Sequence, residues 1–157
     1  IVFGDWSSDV CSSDLKAMVF ELSGKYEFIR NKNSIARAYF EDMLRVSLEN
    51  QLSGKILSAM MEICLCYEAE GANKKALEML DRLCDESIKM HNFDHAPGSI
   101  NCCIRNSKGS ERKAVFYSDR WFNAANRSER RSVSEGIREL IKSNIQAKSL
   151  NDRNEYR

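Results

Sequence analysis

The side chains in this chain with the greatest capacity for chemistry are thiols and imidazoles, six Cys and two His among 157 residues. Cys64, Cys66, Cys84, His91, His95, Cys102 and Cys103 offer the ligand types that zinc prefers. Their spacing does not build a centre. Cys64 and Cys66 lie two residues apart, about 200° around a helix axis, and cannot face one ion without unwinding. No Cys-x-x-Cys pair occurs. His91 and His95 stand at i, i+4, but Pro97 and Gly98 follow at once and mark a loop. A nucleophilic Cys102 or Cys103 with a histidine base would need an orienting acid, and none stands at a characteristic spacing. No glycine-rich phosphate loop is present. These residues argue for no metal, no cofactor and no enzyme, and Cys64 reads as a small core residue.

The elements that position these residues read as helices. One proline occurs in the whole chain, and strand-type alternation is scarce, which predicts an all-α fold. Met60, Ile63, Cys64 and Tyr67 have the i, i+3, i+4, i+7 spacing of one helix face, and Val19, Leu22, Ser23 and Tyr26 repeat it. The segment Gly71, Lys75, Ala76, Leu77, Asp81, Arg82, Leu83 recurs as Gly109, Lys113, Ala114, Val115, Asp119, Arg120, Trp121 at an offset of 38. Ala36, Phe40 and Met43 match Ala76, Leu80 and Leu83 at an offset of 40. Each unit is two amphipathic helices joined by a tight turn, with Gly71 placed to close the first of them. The expected core is Val19, Leu22, Tyr26, Ala36, Phe40, Met43, Met60, Ile63, Cys64, Tyr67, Ala76, Leu80 and Leu83.

Met60, Ile63, Cys64, Tyr67, Gly71, Ala76, Leu80 and Leu83 follow the order of large, aliphatic, small, aromatic, glycine and alanine positions that marks the tetratricopeptide repeat, which this pattern resembles. It departs in its longer spacing, in the missing closing proline, and at Gly98, Asn101 and Arg105 of the third unit. The resemblance implies a right-handed α-solenoid of about three helix-turn-helix repeats, near residues 18–50, 54–90 and 98–126. It also implies a protein- or peptide-binding scaffold, a piece of a larger regulatory or assembly protein. The family's concave-groove positions carry over to Phe20, Gly24, Glu27 and Phe28 in the first unit. The second unit contributes Ser58, Met61, Leu65 and Glu68, and the third Ser99, Cys103 and Asn106. An apolar strip flanked by Glu27 and Glu68 suits an amphipathic, partly basic partner.

After the repeats, Ser132-Val133-Ser134-Glu135 has capping-box spacing, and Ile137, Leu140, Ile141 and Ile145 form an apolar stripe. A capping helix over 132–148 that covers the last repeat is expected, with a frayed tail over 149–157. The helices before it are predicted at 18–30, 34–49, 54–70, 73–90 and 110–125, with a short irregular one near 99–107 and a long loop over 91–98. The charge is uneven: residues 16–102 hold 11 basic and 13 acidic side chains, net −2, and residues 103–157 hold 13 and 7, net +6. This supports an alternative, a DNA-binding regulator whose segment 112–148 resembles a ribbon-helix-helix domain, with Arg112–Tyr117 as the ribbon strand. No run reaches the ~20 apolar residues of a membrane span, so no membrane partner is expected. Without Cys11 the cysteines number five, an odd count that suits reduced thiols and a cytoplasmic protein.

The segment Gly4-Asp-Trp-Ser-Ser-Asp-Val-Cys-Ser-Ser-Asp-Leu15 is identified as one reading frame of a sequencing-library adapter. Residues 1–15 are therefore expected to be non-native and unstructured, with the helical-repeat domain occupying 16–148.

Overall fold

The computed structural model describes residues 12–155, and every element in it is a helix: α1 (Ser13–Ile29), α2 (Asn33–Glu49), α3 (Ser53–Ala69), α4 (Asn73–Met90), α5 (Ala96–Asn106) and α6 (Glu111–Glu155). Consecutive helices from α1 to α5 pack on one another, and α3 also touches both α1 and α5. The first four helices begin 20 residues apart, at Ser13, Asn33, Ser53 and Asn73. Identical turn chemistry sets that period. Asn31, Gln51, Gly71 and His91 all take left-handed backbone, at φ 60°, 55°, 75° and 51°. The following N–H then reaches back to a carbonyl of the last helical turn: Lys32 to Glu27 at 3.0 Å, Leu52 to Ser47 at 2.9 Å, Ala72 to Tyr67 at 2.9 Å and Asn92 to Ser87 at 3.1 Å. These are Schellman closures, which satisfy carbonyls the helix end leaves open.

The hairpin repeat is therefore 40 residues, made of two 20-residue halves. Ala36, Ile56, Ala76 and Ala96 recur at that half-period in the core, as do Phe40, Met60 and Leu80, and Met43, Ile63, Leu83 and Cys103. Most of the expected core is buried accordingly. The exceptions are Tyr67, which is half-buried, and the first helix, where the expected face is wrong. Leu22 and Tyr26 are 64% and 59% exposed, Val19 is half-buried, and the buried residues of α1 are Ala17 and Gly24. Aligning Tyr26 with Tyr67 used an offset of 41, whereas Asn31 and Gly71 set 40. A one-residue slip rotates a helix face by about 100°. In the correct register Gly24 takes the place of Cys64, and a Cβ there would lie 2.6 Å from Cε1 of Phe40. Glycine is what lets α2 bring that ring against α1. Tyr67 carries the Arg37 guanidinium over its ring at 4.9 Å.

The third unit is shorter. Pro97 sits in the first turn of α5, where its missing N–H costs nothing. The loop is thus residues 91–95 rather than 91–98. A left-handed pair, Lys108 and Gly109, closes α5, and the Ser110 hydroxyl accepts from the Lys113 N–H at the start of α6.

Three expectations fail in α6. Arg112–Tyr117 is helical, so no ribbon strand exists there. The helix does not break before Ser132, and it continues through Asn151 to Glu155 rather than fraying after Ser149. Residues 126–131 contain neither glycine nor proline, so nothing stops helix propagation and the capping-box residues lie inside it. At the other end, Ser13–Leu15 belong to α1, and the Ser12 hydroxyl accepts from the Leu15 N–H at 3.3 Å. The adapter-like string happens to end in a good N-cap, so a helix seeded by the residues after it extends back to that serine. The rest of the expected unstructured segment, residues 1–11, lies outside the described residues.

Contacts divide the chain at Trp121. In the first unit Trp121 is buried, and Arg120 binds Asp81 and Asp85 of α4. In the second, Ile137, Leu140, Ile141 and Ile145 are each more than half exposed. No helix is long and apolar enough to cross a membrane among the described residues.

Candidate functional site

Helix α3 touches both α1 and α5, and polar side chains join these alternate helices edge to edge. Between α1 and α3, Lys55 donates to Glu21 at 2.6 Å, and Lys25 lies 3.1 Å from Glu21 and 4.0 Å from Glu62. Burial acts to raise the Glu21 carboxyl, but hydrogen bonds from Lys55 and Lys25 outweigh it and hold it below the ordinary carboxylate value. Glu62 goes the other way: burial raises it, and Lys25 offsets only part of that effect.

Between α3 and α5 the organising group is Glu68. It accepts from Arg105 Nε at 3.0 Å, from Cys102 Sγ at 3.4 Å, and from the Asn106 amide. Nearby, the Ser99 hydroxyl donates to the Met61 sulfur at 3.6 Å. The structure therefore pairs Met61 with Ser99 and Glu68 with Asn106.

The expected groove residues do not all face outward. Phe20, Phe28, Ser58, Met61 and Leu65 are half-buried side chains with part of their surface open. Glu27 is half-buried, receives Arg30 at 3.4 Å, and keeps a second oxygen with no hydrogen-bond partner. Gly24, Ser99 and Cys103 are buried and are not contact residues. Asn106 is only 3% exposed, and its amide nitrogen is committed to Glu68 and to the Cys102 carbonyl at 2.7 Å. It is a strut between helices, not an open groove position. Sequence reasoning missed Glu21, Lys25, Lys55 and Glu62. The left-handed turns at Asn31 and Gly71 carried the missing signal, because counting back 40 residues from Met61 and Leu65 gives Glu21 and Lys25.

The thiols are structural in character. All five described cysteines are buried and free. Burial first, then the Glu68 carboxylate, pushes Cys102 up to about 12; burial first, then neighbouring Cys84, does the same to Cys103. Cys66 is also pushed to about 12, chiefly by burial. At neutral pH these groups are protonated, and a thiol is a poor nucleophile and a poor ligand. Among the described residues no three His, Cys, Asp or Glu side chains converge as a metal-binding group. No family model matches the chain, and no curated protein or solved structure is significantly similar to it.

Proposed function

We propose that this chain is a protein- or peptide-binding scaffold of tetratricopeptide-like, right-handed α-solenoid form, a piece of a larger cytoplasmic regulatory or assembly protein. Its binding face is the edge-to-edge layer of α1, α3 and α5. One observation carries the reading: Phe28, Met61 and Leu65 leave apolar surface open on helices whose carboxylates Glu21, Glu62 and Glu68 are held in place by cross-helix partners. Apolar area supplies affinity, and fixed carboxylates beside it supply orientation and select basic side chains. The partner is an amphipathic helix or extended peptide with apolar residues at helical spacing and lysine or arginine at its flanks.

Selection from a random displayed-peptide library tests this. Enriched sequences are expected to be amphipathic and basic, and to lose binding to a Met61→Ala/Leu65→Ala variant. Peptides that bind the double variant as well as wild type place recognition elsewhere and end this assignment.

A further inference from the structure

Met18, Leu22, Tyr26 and Ile29 line one side of α1 and are 46%, 64%, 59% and 79% exposed. They fall within about 80° of one another around the helix axis, opposite the buried Ala17 and Gly24. The 40-residue period shows what such a side does in this fold. Counting forward from Leu22 gives Glu62 of α3 and Cys102 of α5, and from Tyr26 it gives Cys66 and Asn106. Glu62 lies 4.0 Å from Lys25 of α1, and Cys102 and Asn106 both bond to Glu68 of α3. Cys66 is fully buried. In α3 and α5 this is the side turned toward the helices that come before. In α1 the same side is open, and it carries large apolar residues where α3 and α5 carry polar or small ones.

That difference in chemistry selects the occupant. Within the chain the joint sets Lys25 against Glu62 and Arg105 against Glu68, so it needs two unlike faces of opposite charge. An apolar face has no such polarity and can meet a copy of itself about a two-fold axis. With α1 antiparallel to α1 of the copy and the axis at Leu22, Met18 stands across from Tyr26 of the copy. Lys25 then stands across from Val19, Glu21 from Ser23, Lys16 from Phe28 and Arg30 from Asp14, so no like charges are opposed. A stable two-fold interface takes about 800 Å² from each partner. The four apolar side chains, with the aliphatic stems of Lys25 and Arg30 beside them, come to that order.

We propose that the open side of α1 pairs with the same side of a second copy of this chain, as a two-fold antiparallel helix pair centred on Leu22. None of its four apolar residues belongs to the peptide-binding face proposed above, so the two readings stand separately.

Sedimentation of the full chain over a range of concentrations tests the proposal. A monomer–dimer equilibrium is expected, weakened at least about tenfold by Leu22→Lys and unchanged by Ile104→Lys, which alters an exposed apolar residue of α5 instead. Circular dichroism of Leu22→Lys separates lost pairing from lost fold. Cross-linking tests the register, in a Cys11→Ser background whose other cysteines are buried. Leu22→Cys lies on the axis and should form a disulfide-linked dimer on mild oxidation. Ile29→Cys, roughly 20 Å along the helix from its own copy, should not. A monomer at every concentration, which leaves the face to another occupant, would overturn the proposal. So would a dimer that survives Leu22→Lys, or one that cross-links through Ile29→Cys and not through Leu22→Cys.

Discussion

Gly24 shows how far one residue sets the geometry of this array. A methyl group there meets the Phe40 ring, which is fully buried and has no room to retreat. Gly24→Ala should cost about 1–3 kcal/mol by overpacking, read as a lowered urea midpoint with an unchanged slope. The opposite sign is expected at Gln51, held at φ 55° with its side chain exposed. Left-handed backbone disfavours a residue with a Cβ, so Gln51→Gly should raise stability by about 0.5–1 kcal/mol. The cysteines offer a third check at this scale. Cys66, Cys102 and Cys103 are pushed to about 12 by burial. Native protein at pH 8 should resist alkylation by iodoacetamide at all five described positions, and label fully once unfolded. Rapid native labelling of Cys102 or Cys103 would restore the case for a reactive thiol.

At the scale of elements, α1 and α3 are joined by carboxylates with opposite proton linkage. The folded-state value of Glu21 is lowered, so its contribution is present above the ordinary carboxylate value of 4.5 and is lost as pH falls through the lowered one. The folded-state value of Glu62 is raised, so its charge disfavours folding at neutral pH, and protonation relieves that as pH falls. Glu21→Gln should therefore lower the melting midpoint at pH 7, with the difference vanishing in acid. Glu62→Gln should raise it at pH 7, and the advantage should fade as wild type takes up its proton. Midpoints of both variants measured from pH 7 down to 3 distinguish this pattern from two equivalent surface carboxylates, which would move together.

For the whole molecule, the contact boundary at Trp121 separates a packed array from the remainder of α6. The array holds the buried core and closes with Trp121 and the Arg120 pair to Asp81 and Asp85. A chain ending shortly after Trp121 should keep the cooperative unfolding transition and midpoint of the full chain, because none of the residues after Trp121 whose burial is described is buried. Loss of the transition on truncation would show that Phe122–Arg157 is part of the folding unit. The charge partition falls on the same boundary region, since most of the net positive charge lies in α6 and beyond, while the array is near neutral.

The all-helical class, the helical hairpins and most of the core were legible in the residues themselves. Apolar spacing at i, i+3, i+4 and i+7 reports which face of a helix leaves water, and Ala76, Leu80, Leu83, Met60 and Cys64 followed it. Phase and continuity were not legible in that pattern. In α1 two apolar faces compete, and only the closures at Asn31 and Gly71 decide that Ala17 and Gly24 go inward while Leu22 and Tyr26 stay out. Left-handed Asn, Gln and His do the same work as glycine in these turns, so half of the period was hidden behind residues that do not announce it. The run 126–131 has no residue that forces a helix to stop, and a capping-box spacing does not interrupt a helix already propagating through it. The candidate sites depend on tertiary structure most of all. Glu21 and Lys55 are 34 residues apart, and Glu68 is 37 and 38 residues from Arg105 and Asn106. Helix packing, not local spacing, brings such groups within hydrogen-bonding reach.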